Sequence, residues 1–321
     1  MKYIATLLFI LIFSKAHGES PLWHLEGNHN TTSDNLRLHG LSLHYLNHKR
    51  DLSWPYKNEA TQAWDYGLLL NDYRGSSGTT KFEGNQLEAI GGRKFSKNIH
   101  LQLQLGTHIL ERKSDGQKFD RLSGEILLDG YLFARQDLYA RYDYRNDFAY
   151  FDLALPKGIE TPLSKGEHSF ELVVTSLKMW RFVYDSQFVE FSDNNLRIHN
   201  QIQTLYGLSP SWPWIWAGAV AEHIENSKTI AGYWTPHEFT SAGLKLEASF
   251  PIHGQLTGMS EIQYRLQQEN GLPWGDGNSF YFGVQHGDRD GLNFRVGYSL
   301  INSLQEGSKW QEETLSFSMS K

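Results

Sequence analysis

Ala242-Gly243-Leu244-Lys245-Leu246-Glu247-Ala248-Ser249-Phe250 alternates apolar and polar or small residues without a break. A period of two marks an extended strand, because successive side chains leave the backbone on opposite sides. The same pattern recurs far away. Leu101, Leu103, Leu105, Thr107 and Ile109 alternate with Gln102, Gln104, Gly106 and His108, and Leu292, Phe294, Val296, Tyr298 and Leu300 alternate with Asn293, Arg295, Gly297 and Ser299. About sixteen such stretches can be marked between 22–30 and 309–320, one of them near 168–181. Turn-rich pieces such as Arg74-Gly75-Ser76-Ser77-Gly78 and Ser192-Asp193-Asn194-Asn195 separate them.

Alternation alone does not distinguish a soluble sandwich from a membrane barrel. The lengths do. Ten residues rising about 3.3 Å each, tilted about 45°, span the roughly 25 Å of a lipid-facing band. The faces opposite the apolar ones are heavily charged, as where Arg141, Asp143 and Arg145 follow Tyr139, and a barrel would present these to a wet lumen. Aromatic residues near strand ends (Trp54, Tyr56, Trp212, Trp214, Tyr233, Trp234, Trp274) suit interfacial girdles. The expected fold is all-β: a closed antiparallel transmembrane β-barrel of about sixteen strands over residues 19–321. Short turns are expected on the periplasmic side and longer loops outside. The longest non-periodic stretch, Pro156 to Glu167, is short for a constriction loop.

Composition narrows the function. The chain has 321 residues, 30 basic and 36 acidic, a net charge of −6 and no cysteine. That excludes a basic nucleic-acid binder, a disulfide framework, a thiolate metal site and a cysteine nucleophile. A mean hydropathy of −0.49 excludes a helical membrane protein. At the start, Met1-Lys2 precedes an apolar run from Tyr3 to Phe13, with Ala16 and Gly18 as small residues before a cleavage point. This reads as a signal peptide over residues 1–18, too short to span a bilayer. The expected location is therefore the outer membrane of a Gram-negative cell.

Chemistry is harder to find. His39, His44 and His48 cluster, but only His44 and His48 would share a strand face, about 13 Å apart, too far for a shared metal ion. Asp288-Arg289-Asp290-Gly291 lacks the spaced ligands of a calcium loop. No nucleophile elbow of the Gly-x-Ser-x-Gly type occurs. Neither an enzyme, a cofactor nor a metal is expected. What stands out is the charged lumen face: Tyr139, Arg141, Asp143, Arg145, Arg197, His199, Lys245, Glu247, Glu261, Arg265 and Arg295. These are the candidates for a solute path, with Tyr139 as a stacking surface for sugar rings.

Two short motifs carry a family resemblance. Ile230-Ala231-Gly232-Tyr233-Trp234-Thr235-Pro236-His237-Glu238-Phe239 and Phe191-Ser192-Asp193-Asn194-Asn195-Leu196-Arg197 resemble turns in the C-terminal porin domain of exopolysaccharide export proteins, of the poly-N-acetylglucosamine and cellulose secretion types. Gly283-Val284-Gln285-His286-Gly287 is also similar. The periplasmic helical repeats of that family have no counterpart in this sequence. The resemblance implies passive passage of a sugar polymer with no cofactor. It also implies partners: outer-membrane lipid, the polymer, and a periplasmic or inner-membrane synthesis and export complex, with no nucleic acid. Two other readings stay open, a general or substrate-selective diffusion porin and a hydrolase at the barrel rim.

Overall fold

Every alternating stretch folds as a strand. The first four are β1 (Leu22–Thr32), β2 (Leu36–Leu46), β3 (Trp64–Ser77) and β4 (Thr80–Lys94). Next come β5 (Ile99–Arg112), β6 (Gln117–Tyr131), β7 (Leu138–Phe148) and β8 (Ser164–Val174). They continue as β9 (Trp180–Phe191), β10 (Leu196–Ser209), β11 (Trp214–Asn226) and β12 (Glu238–His253). The last four are β13 (Leu256–Glu269), β14 (Gly275–His286), β15 (Asn293–Gln305) and β16 (Ser308–Ser320). This computed structural model describes residues 22–46, 64–95, 99–135, 137–149, 162–175, 179–209, 213–230, 233–287 and 292–320.

Each strand pairs antiparallel with the next, and β16 returns to β1, so the sheet has no free edge. Closure matters because lipid offers no hydrogen-bond partner to an unpaired backbone group. Paired residues in a ladder share a face. Leu246 is paired with Ala217 and Ile262, whereas its neighbour Lys245 is paired with Gly218 and Gln263. Followed strand by strand, this parity returns to its starting point at the β1–β16 seam, where Leu25 meets Met319 outside and Glu26 meets Ser318 inside. The outer face is apolar and open: Leu105 is 60% exposed and Leu244 68%. The barrel is a transmembrane one, lipid-facing outside and polar inside.

The two rims differ. At the near end, where β1 begins and β16 finishes, exposed outward aromatics include Trp64, Tyr66, Trp180, Tyr206 and Phe250, and the Trp180 and Tyr206 rings lie 5.1 Å apart. At the far end β3 to β6, of 14 or 15 residues against 11 in β7 and β8, carry charge outward instead. There Glu83 bonds Lys113 at 2.9 Å, and Lys113 bonds Glu111 at 2.7 Å. Charge on the outer face belongs beside water, so these four strands rise past the apolar belt.

Several expectations need correction. The long connections do not collect at one rim: β2 ends and β3 begins at the near end, while β7 ends and β8 begins, and β11 ends and β12 begins, at the far end. The strand expected near 168–181 occupies Ser164–Val174, and β9 already starts at Trp180. Tyr233 and Trp234 are not girdle residues; both belong to an inward-folded segment described below. His39 faces outward and stacks on His29 at 4.3 Å, while His44 faces inward beside His24. The signal peptide, Trp54, Tyr56, His48, Trp212 and the Asp288–Gly291 turn lie outside the described residues.

Hairpin turns use the residues their geometry requires. Glu306 (φ 52°) and Gly307 (φ 71°) form a two-residue turn between β15 and β16 with both centres left-handed, the twist a tight hairpin needs. Inside the barrel, glycine serves a different purpose. A side chain on Gly84 would meet the Tyr73 ring at 1.8 Å, since that ring lies over the bare backbone of the neighbouring strand. Gly84→Val expels Tyr73, which sits 2.6 Å from His108. Loss of roughly 2–3 kcal/mol of folding free energy is expected from the overpacking, checked by urea unfolding of the barrel in detergent or lipid.

Candidate functional site

The register turns every sequence-selected lumen residue inward. Tyr139, Arg141, Asp143 and Arg145 lie on β7, Arg197 and His199 on β10, Lys245 and Glu247 on β12, Glu261 and Arg265 on β13, and Arg295 on β15. They fall into separate groups. Along β6 to β8, Arg145 reaches Glu125 at 3.8 Å and Asp147 at 3.2 Å, and Arg141 reaches Asp143 at 3.2 Å. Across β9 to β13, Lys245 lies 2.8 Å from Glu247 and 3.2 Å from Glu261, with Arg181 also on Glu247. Arg265 lies 2.6 Å from Glu222, whose other oxygen is 2.9 Å from His199. Arg295 packs over the Tyr281 ring and donates to its hydroxyl at 2.9 Å.

Tyr139 departs from its expected role. It is 2% exposed, with its ring 5.8 Å from that of Tyr131, so its face is not presented to a passing solute.

Two cavities open inside the barrel. One of about 560 Å³ is bounded by β6 to β9, with Glu125, Arg141, Asp143, Arg145, Glu167 and Asp185 on its wall. The other, about 530 Å³, lies toward the far end and is bounded mainly by β13 to β16, β1 and β2. Leu36, Leu38, Tyr73, Phe82, Leu110 and Phe148 pack together from β2 to β7 and thicken the far-end wall. Behind Arg145 runs a polar chain. Tyr73 is 2.6 Å from His108 Nε2, His108 Nδ1 is 2.5 Å from Asp147, and Gln86 donates to Asp147 at 3.1 Å. His108 is fully buried and binds strands together, while Gln86 and Asp147 at the end of the chain border the same cavity.

The two motifs that carried the resemblance turn out to be one structural unit. The β11–β12 connector enters the lumen, and the β9–β10 turn holds it. Tyr233 packs on Val189 and Phe191, and its hydroxyl donates to Asp193 at 2.7 Å. Burial and that carboxylate raise the Tyr233 phenol above its ordinary value, keeping it a donor. Asn195, fully buried, donates to Tyr233 at 3.2 Å and accepts from Ser227 at 3.1 Å and from the Lys228 amide at 3.0 Å. Arg197 donates to the Trp234 carbonyl at 2.8 Å, and Trp234 Nε1 donates to Glu269 on β13 at 3.3 Å. Asn226 donates to the Pro236 carbonyl at 2.6 Å. The inward connector thus joins Asn226 to Glu238, and of the Pro156–Glu167 stretch Ser164–Glu167 begin β8 while 156–161 lie outside the described residues.

Sequence reading singles out none of Glu222, Glu125, Asp147 and Gln86, and includes Asn195 only within a turn motif. Glu222 follows Trp214-Ile215-Trp216-Ala217-Gly218-Ala219-Val220-Ala221, apolar on both faces, where alternation gives no signal. Among the described residues no three His, Asp or Glu side chains converge as a metal site.

The sequence matches no known family, and no curated protein matches it either. Solved structures do resemble it. A bacterial polysaccharide outer membrane secretin superimposes with a TM-score of 0.69 at 8% identity, over 94% of this chain and 97% of that one. CdiB from Acinetobacter baumannii matches with a TM-score of 0.51 at 6% identity, over 93% of this chain and 60% of its own. OccK5 (OpdH) of Pseudomonas aeruginosa matches with a TM-score of 0.44 at 12% identity, over 94% and 97% of the two chains. For the two matches with TM-scores above 0.5, at such identities, the shared property is the fold alone, a closed β-barrel.

Proposed function

We infer that this protein is an outer-membrane channel for a hydrophilic solute, and that the solute is a sugar polymer in secretion. The observation that carries the reading is the lumen, polar on every strand, opening into cavities and entered by a segment latched through specific hydrogen bonds. A barrel serving only as an anchor needs no such interior. Hydroxyl-rich chains are served by side chains that both donate and accept, and Gln, Asn, Asp, Glu and Arg supply them here. Passage demands weak repeated contacts, since tight binding would stall the polymer. Release from a signal peptide, delivery by a periplasmic or inner-membrane complex, and a path along the inward candidates named above complete the proposal. The fold likeness to a polysaccharide outer membrane secretin supports it.

A gated diffusion porin is the second reading, favoured by the inward 227–237 segment, which stands where a constriction loop would. No observation favours a rim hydrolase: His108 and His100, each beside a carboxylate, are 0% and 7% exposed, and His199 is held against Glu222, itself paired with Arg265.

Purified barrel reconstituted in planar bilayers tests the proposal. Stepwise salt conductance, together with transfer of a labelled neutral polysaccharide into proteoliposomes, is the expected result. Conductance to salt and small solutes without polymer transfer would leave the porin reading in its place, and silence of well-folded barrel would remove both. Arg141→Gln with Arg145→Gln leaves Glu125, Asp143 and Glu167 in the β6–β9 cavity. Cation preference should then rise by about twofold or more, read as a shift in reversal potential across a salt gradient.

A further inference from the structure

At the far end the outer face of the barrel is divided by the sign of its charge. On β2, β3 and β6, Arg37, Arg74 and Lys118 each stand four residues beyond the last outward apolar residue of the strand, which is Leu41, Leu70 and Leu122 in turn. Lys113, one residue past β5, stands four beyond Ile109. Elsewhere around the barrel the same step, taken from Ala221, Ala242 and Phe280, leads to Glu225 on β11, Glu238 on β12 and Asp276 on β14. All seven charged side chains are exposed. Counting from the edge of the apolar belt cancels the tilt of the strands, so the seven stand at one level: cations over β2 to β6, carboxylates over β11 to β14.

That level decides what lies against them. Four residues rising about 3.3 Å each, tilted about 40°, reach roughly 10 Å above the last apolar side chain. The headgroup layer is about 5–8 Å deep on each side of the hydrocarbon, and lysine and arginine bend back along their stems to meet it. The surface directly below faces lipid, so the neighbour at this height is a lipid headgroup. Carboxylates are present in the cationic sector too, but level with the four cations or closer to the belt. Two of them are shared: Glu83 between Arg74 at 3.7 Å and Lys113 at 2.9 Å, and Glu111 between Lys113 at 2.7 Å and Lys118 at 3.5 Å. Arg37, and Lys81 two residues beyond Glu83, form no ion pair among the described residues. In the acidic sector Glu225 and Glu238 are directly paired across β11 and β12, like charges side by side, which repels a further anion.

We propose that the far-end outer face of β2 to β6 is a docking surface for anionic lipid headgroups, whose phosphates accept hydrogen bonds from Arg37, Arg74, Lys81, Lys113 and Lys118. Guanidinium and ammonium groups are the side chains that phosphate oxygens pair with best. The lengthened strands β3 to β6 carry these groups up to the phosphates. The acidic sector over β11 to β14 turns the same lipids away, so the barrel gathers an unequal lipid collar, anionic on one side only. The proposal needs only the lipid-facing barrel and is independent of what passes through the lumen.

The absence of cysteine allows a direct test on the full-length barrel in vesicles, with one fluorophore at a time. Asn85→Cys on β4 and Thr240→Cys on β12 give labels at matched height, each two residues beyond the last outward apolar residue of its strand, Leu87 and Ala242. Spin-labelled phosphatidylglycerol and spin-labelled phosphatidylcholine, each in phosphatidylcholine vesicles, are the quenchers. The ratio of quenching by the two lipids should be about fivefold or more higher at Asn85→Cys than at Thr240→Cys, the factor that one lysine or arginine near an anionic surface supplies. The difference should shrink as salt rises. Arg37→Gln, Arg74→Gln, Lys113→Gln and Lys118→Gln together should abolish it, in barrels whose heat-modifiable migration shows them folded. Glu225→Gln with Glu238→Gln should leave the Asn85→Cys ratio as it was. Equal ratios at the two labels need no variant to interpret and would overturn the proposal, as would a difference that survives loss of the four cations. Inorganic phosphate that removed the difference at an ionic strength where chloride did not would mark a site for soluble phosphate and overturn the lipid assignment.

Discussion

Arginine in place of Leu246 should lower the folding free energy of the barrel in a phospholipid bilayer by about 2–4 kcal/mol. Leu246 occupies the middle of β12, paired with Ala217 and Ile262, on the face where Leu244 is 68% exposed. A guanidinium there must either remain in hydrocarbon or draw water and headgroups inward. The matched control is Arg295→Gln on the inward face, whose described contact is Tyr281 beside open lumen. It should cost less than about 1 kcal/mol, as loss of a solvated polar contact does. Denaturant titration of both variants in thin-chain liposomes reads the difference. Equal losses would mean that the two faces had been exchanged, and with them the whole inward set.

Asn195→Ala should free the segment that narrows the lumen. The side chain holds the connector by three hydrogen bonds: one to the Tyr233 hydroxyl, one from Ser227 and one from the Lys228 amide. Each contributes about 0.5–1.5 kcal/mol net, so their joint loss shifts a latched-to-open equilibrium by at least about tenfold. Reconstituted Asn195→Ala should therefore spend far more time in high-conductance states than wild type does. Tyr233→Phe, which removes only the bonds to Asp193 and Asn195, should do the same to a smaller degree. Unchanged current in both variants, with heat-modifiable migration showing intact barrels, would mean that 227–237 is a fixed part of the wall.

Strand order, strand number and the wet face were all legible in the sequence, because a membrane barrel needs apolar residues at every second position and little else. Legibility failed where that rule loses force. Leu172-Val173-Val174-Thr175-Ser176-Leu177-Lys178-Met179-Trp180 contains no glycine or proline to announce a turn, so the alternation predicts a strand running past the end of β8 at Val174. Its true start, Ser164-Lys165-Gly166, is polar enough to pass for a loop. Tyr233 and Trp234 sit near a proline and a strand end, where interfacial aromatics also gather. Only their bonds to Asp193 and Glu269 separate an inward latch from an outward girdle. The Tyr73–His108–Asp147 chain was invisible for another reason. Its members come from β3, β5 and β7, and ladder register alone brings such distant positions together.

The unbroken parity of the sheet also sets how such a chain can change over evolutionary time. Substitution at a lipid-facing site is nearly free, since any apolar residue serves. A single inserted or deleted residue within a strand is not, because it would turn every following side chain of that strand to the wrong solvent. The register slips the barrel does contain, between Gly207 and Ser209 and between Pro251 and His253, both lie at the near rim, where few residues follow before the turn. Lineages descended from this chain should therefore diverge almost without limit in residue identity. Gains and losses of length should be confined to the rims, or come in pairs that restore the alternation.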